Sequence, residues 1–257
     1  MRAFSPSSFT MILLALFCFS CKKQTETIDD YDYQTERLTE IFPLKVGRTI
    51  TYQTDSTVFT NFGRSEEIHS YIERDTIDAV FQDALGRTSY RVTRYLQDPD
   101  RTNPAFTSGT YYITPTATTI EVTENNLRYV KLTTPVKQDA TWKGNLYLPA
   151  KPYRDFYSFN NDGNMQNWNF VYSSLGEELE LNGRVIPEVT TITEVDQSTN
   201  MPFTGTTYAS VSYAVNKYAK GIGLIYQELI MWDYQLSGQG GGYKTGFGVK
   251  RTMIDHN

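Results

Sequence analysis

Histidine, which often carries acid–base and metal chemistry, occurs only twice in this 257-residue sequence, as His69 and His256. Two histidines so far apart cannot form an HExxH motif or another paired-histidine zinc motif. No Gly-x-Ser-x-Gly nucleophile motif accompanies His69, so a serine hydrolase is not indicated. The sequence therefore predicts no metal site, no cofactor and no enzymatic activity.

Carboxylates are abundant, with Asp and Glu together numbering 29. A glycoside hydrolase needs two carboxyl groups about 5–9 Å apart in a cleft. In a chain with so many acids, such pairs also arise without function, so the signal for glycan cleavage has little specificity. The candidate carboxylates are Asp75, Asp78, Asp83, Glu177, Glu178, Glu180, Glu194 and Asp196.

Two segments have compositions that are also found in ligand-binding loops. Asn160–Asn164 is rich in side-chain oxygens, but it lacks the spaced acidic residues of an EF-hand calcium loop, so a turn is favoured. Gly238–Gly248 lacks the Gly-Lys-Ser/Thr sequence of a phosphate loop, because Tyr243 separates Gly242 from Lys244. We interpret this second segment as a flexible hairpin connection.

Aromatic residues make up 14% of the sequence. Exposed Trp and Tyr rings can stack on sugars and other flat ligands, which makes Trp168, Trp232, Tyr234 and Tyr243 the candidate ligand-binding residues. The alternative, which we favour, is that these rings fill a β core or pair across strands. Trp142, two residues before Gly144, is likewise interpreted as a core anchor above a close backbone approach.

The elements that must position these side chains are β-strands. Polar and apolar residues alternate over Arg48–Thr60, as in a half-buried strand, and Asn182-Gly183 between two extended segments is a strong hairpin signal. The strand–helix alternation of a parallel α/β sheet is absent from the pattern. We predict one mainly antiparallel β domain over residues 41–257, with about ten to twelve strands in an open curved half-barrel or a sandwich.

Charge and hydropathy exclude some classes of protein. Lys and Arg number 24 against 29 acids, the net charge is −5, and the mean hydropathy is −0.45. A weakly acidic balance argues against a nucleic-acid partner, since nucleic-acid-binding proteins usually carry a basic surface.

Residues 21–40 are polar and contain neither Gly nor Pro, and they are predicted to form a flexible tether.

The N-terminus carries an export signal. Met11–Phe19 is an apolar run of nine residues, too short to span a membrane and suited to the core of a signal peptide over residues 1–20. Ser20 and Cys21 follow directly, and this arrangement resembles the lipobox of bacterial lipoproteins. The resemblance implies that Cys21 is the mature N-terminus and carries lipid with fatty acyl chains such as palmitate. An ordinary secretory signal or an uncleaved anchor is the alternative.

Three stretches of the body resemble a group of uncharacterised lipoproteins of the Bacteroidota. They are Phe42–Tyr52 with Asp55-Ser56, Leu132–Asn145 and Tyr218–Glu228. The resemblance implies an outer-membrane location and an all-β build, and it implies no activity. Asp55-Ser56-Thr57 and Asp75-Thr76-Ile77 also resemble the short O-glycosylation signal of that phylum, which makes Ser56 and Thr76 weak candidate acceptors.

These observations favour an outer-membrane lipoprotein that acts as a non-enzymatic binding or scaffold module of the cell envelope. The expected partners are the membrane, through the lipid on Cys21, and an envelope protein or a glycan. One alternative is a half-barrel carrier of a lipid or other apolar ligand, and another is a glycan-binding or glycan-cleaving surface protein. Lys22 and Lys23 precede the acids that follow Cys21, so the periplasmic and the cell-surface sides both stay open.

Overall fold

The computed structural model describes residues 38–157, 159, 161–238 and 241–257. The predicted signal peptide, Cys21 and the tether as far as residue 37 lie outside these ranges. Within them, no helix has the length and apolar character needed to cross a membrane.

Twelve strands form one antiparallel sheet in the order β6-β5-β4-β3-β2-β1-β12-β11-β10-β9-β8-β7. The first and last strands pair at the centre, and each half of the chain winds outward from them by successive hairpins. The prediction of a single antiparallel β domain with ten to twelve strands is confirmed, and the sheet curves into a nearly closed barrel. The strands are β1 (Thr49–Thr60), β2 (Ser65–Gln82), β3 (Thr88–Gln97), β4 (Phe106–Pro115), β5 (Thr119–Glu124), β6 (Leu127–Thr133), β7 (Thr141–Trp142), β8 (Phe170–Leu181), β9 (Arg184–Thr199), β10 (Ala209–Ala219), β11 (Gly223–Leu236) and β12 (Gly242–His256).

Local sequence explains the strands and the β8–β9 hairpin. Along β1, Tyr52 and Thr54 are buried while the intervening Gln53 is exposed, as the alternation predicts. Asn182 and Gly183 both have positive φ angles, 51° and 74°, and connect the paired residues Leu181 and Arg184. Positive φ at both central residues is the backbone of a type I′ turn, so the predicted hairpin is confirmed.

The two edges of the sheet meet at a seam between β6 and the end of β7. The Val130 N–H donates to the Gly144 carbonyl at 2.8 Å, and the Trp142 indole N–H donates to the Val130 carbonyl at 2.8 Å. A Cβ on Gly144 would lie 2.2 Å from the ring of Phe170, and the Trp142 ring packs on Tyr172 at 4.7 Å between centroids. The interpretation of Trp142 as a core anchor beside a close approach at Gly144 is confirmed.

One end of the barrel is filled by the segment of residues 38–44, which we call the plug. It begins with helix α1 (Leu38–Ile41), whose two apolar residues are buried in the main core. The Glu40 carbonyl accepts a hydrogen bond from Gly221 N–H in the β10–β11 hairpin at 2.7 Å. Leu38, three residues before the boundary expected at residue 41, therefore already packs in the core of the domain.

The opposite end is covered by residues 143–157, 159 and 161–169, which we call the cap. The cap contains helix α2 (Arg154–Tyr157) and a 3-10 helix (Met165–Asn167). Tyr153, Phe159 and Met165 pack on Met231 and Phe247 of the barrel wall. β8 starts directly after the cap and runs towards the β10–β11 hairpin, which contacts the plug. The plug and the cap therefore close opposite ends of the barrel.

The structure corrects the interpretation of Gly238–Gly248 as a loop connection. Its second half, from Gly242 onward, belongs to β12 and pairs with β11. The reason is packing: a Cβ on Gly246 would lie 2.0 Å from the Met231 carbonyl oxygen, so glycine there permits strand pairing.

Candidate functional site

A cavity of about 280 Å³ lies inside the barrel between the plug and the cap. Phe42 of the plug and Tyr153, Phe156 and Tyr157 of the cap contribute to its lining. The remaining lining comes from the strands of the barrel and from Asn125 in the turn between β5 and β6. The cavity is therefore built by three separate parts of the fold: the barrel wall, the plug and the cap.

Polar side chains connect the strands across the interior, starting at Lys131 on β6. The Lys131 ammonium lies 2.6 Å from Glu194 Oε1 on β9, and the Asn216 amide on β10 donates to the same oxygen. Gln227 on β11 donates to Asn216 Oδ1 at 2.9 Å, and Arg251 on β12 donates to Gln227 Oε1 at 2.7 Å. Hydrogen bonds thus cross five strands in turn.

The same connection continues from Arg251 through the other half of the barrel. Glu73 Oε1 forms ion pairs with two arginines: Arg251 Nε lies 3.0 Å from it and Arg94 Nε lies 3.1 Å from it. Neither contact has the alignment of a hydrogen bond at that oxygen. Arg94 on β3 also donates to both oxygens of Asp75, at 2.9 and 3.0 Å, and to Glu124 on β5. The Tyr111 hydroxyl donates to Asp75 at 3.0 Å.

We call these ten side chains the polar belt. In strand order around the barrel they are Lys131, Glu194, Asn216, Gln227, Arg251, Glu73, Asp75, Arg94, Tyr111 and Glu124. Buried polar groups need such partners, since an unpaired buried charge costs several kcal/mol.

Charge within the polar belt is nearly balanced. Three cations, Arg94, Lys131 and Arg251, face the four carboxylates of Glu73, Asp75, Glu124 and Glu194, for a formal sum of 3 − 4 = −1. Burial raises the pKa of the Glu73 carboxyl above its usual range, and Arg251 and Arg94 oppose that rise. Burial lowers the pKa of Arg94, but Asp75, Glu73 and Glu124 outweigh it, so this pKa is raised and the guanidinium stays charged.

Chemically, the polar belt offers fixed charges and amides to a ligand. Each of its carboxylates already contacts a cation, and His69 lies elsewhere, exposed on β2 with its Nε2 3.2 Å from Glu67 Oε2. Among the described residues, no three His, Cys, Asp or Glu side chains are grouped closely enough to bind a metal together.

The structure does not bring the four candidate aromatic residues together. Trp232 and Tyr234 are only 8% and 7% exposed and pack with Phe203 on the outer side of the barrel, so their rings are covered. Tyr243 is half-buried, and Trp168 lines a surface groove rather than the interior cavity. For Trp232 and Tyr234, burial matches the alternative interpretation of packing.

The candidate glycosylation residues both lie within strands. Ser56 pairs with Val249, which lines the cavity, so Ser56 is on the inner face of the sheet. Thr76 lies within β2, and its hydroxyl is 3.3 Å from that of Thr49. Neither residue stands on an exposed loop.

The candidate carboxylates separate into three groups. Asp75 and Glu194 belong to the polar belt, whereas Asp78 and Asp83 form ion pairs with arginines at the surface. Glu177, Glu178, Glu180 and Asp196 are exposed.

Sequence reasoning missed most of the polar belt, although a signal was present. Arg251 occupies an inward position between Val249 and buried Met253, and buried Phe247 lies further along the same face of the strand. Arg94 and Lys131 are similar interruptions. A charge at an inward position of a strand indicates a buried ion pair or a ligand site.

Comparison with known proteins adds little. No family model matches this chain, and no curated protein matches it. A Bacteroides fragilis protein, described as exported and as having a YmcC-like fold, aligns with a TM-score of 0.37 and 10% identity, covering 83% of this chain and 98% of that chain. A DUF1329 family protein from Desulfovibrio piger aligns with a TM-score of 0.22 and 10% identity, covering 87% and 90%. Likeness at this level carries no argument about this chain.

Proposed function

We propose that this protein is a lipid-anchored outer-membrane protein that binds a small polar molecule in its interior cavity and does not transform it. The observation that carries the proposal is the cavity itself, which lies between the plug and the cap and is crossed by the polar belt. The lipobox-like Ser20-Cys21 supports the location.

The lining favours a ligand with both charged and apolar parts. Arg94, Lys131 and Arg251 can contact anionic groups, and Glu124 and Glu194 can contact cationic ones. Phe156, Phe247 and other rings supply apolar contact on the cap side. A volume of about 280 Å³ suits a small molecule such as an amino acid or a dipeptide.

The two alternatives from the sequence receive less support from this geometry. A carrier of a lipid needs an apolar concave face, whereas charged side chains interrupt this interior between the plug and the cap. A glycan site of the predicted kind needs exposed Trp or Tyr rings beside paired carboxylates, and Trp232 and Tyr234 are covered.

Filling the cavity should abolish binding. Ala214 is 2% exposed and lines the cavity from β10, so Ala214→Phe places a ring inside it without removing any residue of the polar belt. We expect that at least some amino acids, dipeptides or other small zwitterions raise the melting temperature of the wild-type protein. Calorimetry should then show at least about tenfold weaker binding of those compounds to Ala214→Phe.

Thr107→Phe, at an exposed position of β4, is the control and should bind as the wild type does. Near-ultraviolet circular dichroism verifies that both variants keep the native packing. Equal binding to Ala214→Phe and wild type would place the ligand outside the cavity, and the absence of any hit would contradict the proposed ligand class.

Lipid anchoring is tested separately by Cys21→Ser. Without the thiol no diacylglycerol can be attached, so the variant should leave the membrane fraction. The measurement is fractionation of cells that express the protein with a C-terminal tag. Retention of Cys21→Ser in membranes would contradict the anchor, and protease treatment of intact cells would show which side the domain occupies.

A further inference from the structure

Buried polar atoms without hydrogen-bond partners are concentrated in the cap. Among the described residues these atoms number seven, and four of them lie there: both side-chain polar atoms of Asn145, Oδ1 of Asp162 and Oε1 of Gln166. Outside the cap, Glu73 Oε1 and Arg251 Nε contact each other as an ion pair, and the seventh atom is Arg48 Nε. Three of the four atoms in the cap are oxygens. Unpaired buried polar atoms are rare in native proteins and call for an explanation.

Asp162 is the most demanding of these residues. Its side chain is 0% exposed, and its Oδ2 accepts the backbone N–H of Tyr153 at 2.7 Å. Its Oδ1 has no partner, and no ion pair to a described Lys, Arg or His compensates its charge. A buried carboxylate without a counter-charge is strongly unfavourable, so a bound cation would account for it.

Short connections hold the three residues in the same part of the cap. The Lys143 ammonium donates to the Asn167 carbonyl at 2.5 Å, which ties the chain just before Asn145 to the 3-10 helix that contains Gln166. The Asn145 carbonyl accepts the N–H of Leu148, and Leu148 packs in the same buried cluster as Tyr153, Phe159 and Met165. Asp162 is fixed to that cluster through Tyr153.

We propose that the cap binds one Ca²⁺ ion through Asp162 Oδ1, with the amide oxygens of Asn145 and Gln166 as further ligands. Calcium takes oxygen ligands from carboxylates, amides and carbonyls in flexible geometry, which suits a site made of loop residues. A site with a single carboxylate belongs to the weak class of extracellular calcium modules, with a Kd of about 0.1–1 mM. Because the cap closes the barrel, the ion would stabilise the wall of the interior cavity.

The experiment compares melting temperatures of the purified protein in EDTA and in about 10 mM CaCl₂, with calorimetric titration of CaCl₂ for affinity. We expect Ca²⁺ to raise the melting temperature of the wild type by about 4 °C or more. Asp162→Asn keeps an acceptor for Tyr153 N–H and removes the charge, so it should lose this shift. In EDTA the same variant should be at least as stable as the wild type, because a buried uncompensated charge is gone.

Asp155→Asn is the matched control, because Asp155 lies in the same cap with a side chain that is 81% exposed, and it should keep the full shift. Asn145→Leu removes both unpaired amide atoms at similar volume and should weaken Ca²⁺ binding at least about tenfold. The proposal is overturned if the wild type shows no Ca²⁺ shift, if NaCl of equal ionic strength gives the same shift, or if Asp162→Asn or Asn145→Leu binds Ca²⁺ as the wild type does.

Discussion

Replacing Arg94 with methionine is expected to destabilise the protein by about 3–5 kcal/mol at neutral pH. Arg94 contacts three carboxylates of the polar belt, those of Glu73, Asp75 and Glu124. Methionine fills a similar volume but brings no charge, so the buried carboxylates lose their shared cation. The loss is large because removal of one partner leaves the other charges buried and uncompensated.

The destabilisation by Arg94→Met should depend on pH in a defined direction. Burial already raises the pKa of Glu73, and removal of a nearby cation raises it further. A carboxyl group whose pKa is higher in the folded state stabilises the fold at pH values below its pKa in the unfolded chain. This stabilisation is lost as the pH rises through the pKa of the folded state. The stability gap between variant and wild type should therefore shrink as pH falls from about 7.5 towards about 4.5.

Urea denaturation at several pH values measures this gap. Arg91→Met is the matched control, because Arg91 contacts Asp78 on the outer surface with a side chain that is 46% exposed. A surface ion pair of this kind contributes about 0–1 kcal/mol. If Arg94→Met and Arg91→Met lose similar stability, or if the gap widens at low pH, the polar belt does not act as one electrostatic unit.

Gly246→Ala is expected to cost about 3–4 kcal/mol, although alanine adds only one carbon atom. Gly246 has a φ of +132°, which a residue with a Cβ adopts only under strain. The added Cβ would lie 2.0 Å from the Met231 carbonyl oxygen and 2.6 Å from the Trp232 Cα. Since both are backbone atoms of the paired strand β11, they cannot yield without separating β11 from β12.

Gly109→Ala provides the comparison for Gly246→Ala. Gly109 lies in β4, has no positive φ, and a Cβ there would meet no atom within 4 Å. Alanine at that position should be neutral or slightly stabilising, since it restricts the unfolded chain. Chemical denaturation of both variants tests the difference, and a Gly246→Ala variant as stable as Gly109→Ala would show that β12 pairs differently from the structure.

Features that depend on neighbours along the chain were predictable from the sequence. The strand that the alternation predicts over Arg48–Thr60 agrees with β1, which spans Thr49–Thr60. The Asn182-Gly183 hairpin was predictable for the same reason, because backbone geometry at a turn depends on the residues that form it.

The Gly238–Gly248 segment shows where such local reasoning fails. Its composition is that of a flexible connection, yet Gly246 is required by the Met231 carbonyl of another strand. The contact that explains the glycine is absent from the local sequence, so composition alone could not separate a loop from a strand.

The sequence by itself determined an antiparallel β domain, with ten to twelve strands expected and twelve present, and it predicts a signal peptide over residues 1–20. The tertiary structure alone decided the cavity and the polar belt. Lys131 and Glu194 are 63 residues apart, and they meet because β6 closes against the other edge of the barrel. Periodicity specifies which side chains share a face, but strand order and closure specify which faces meet, and those depend on packing across the whole domain.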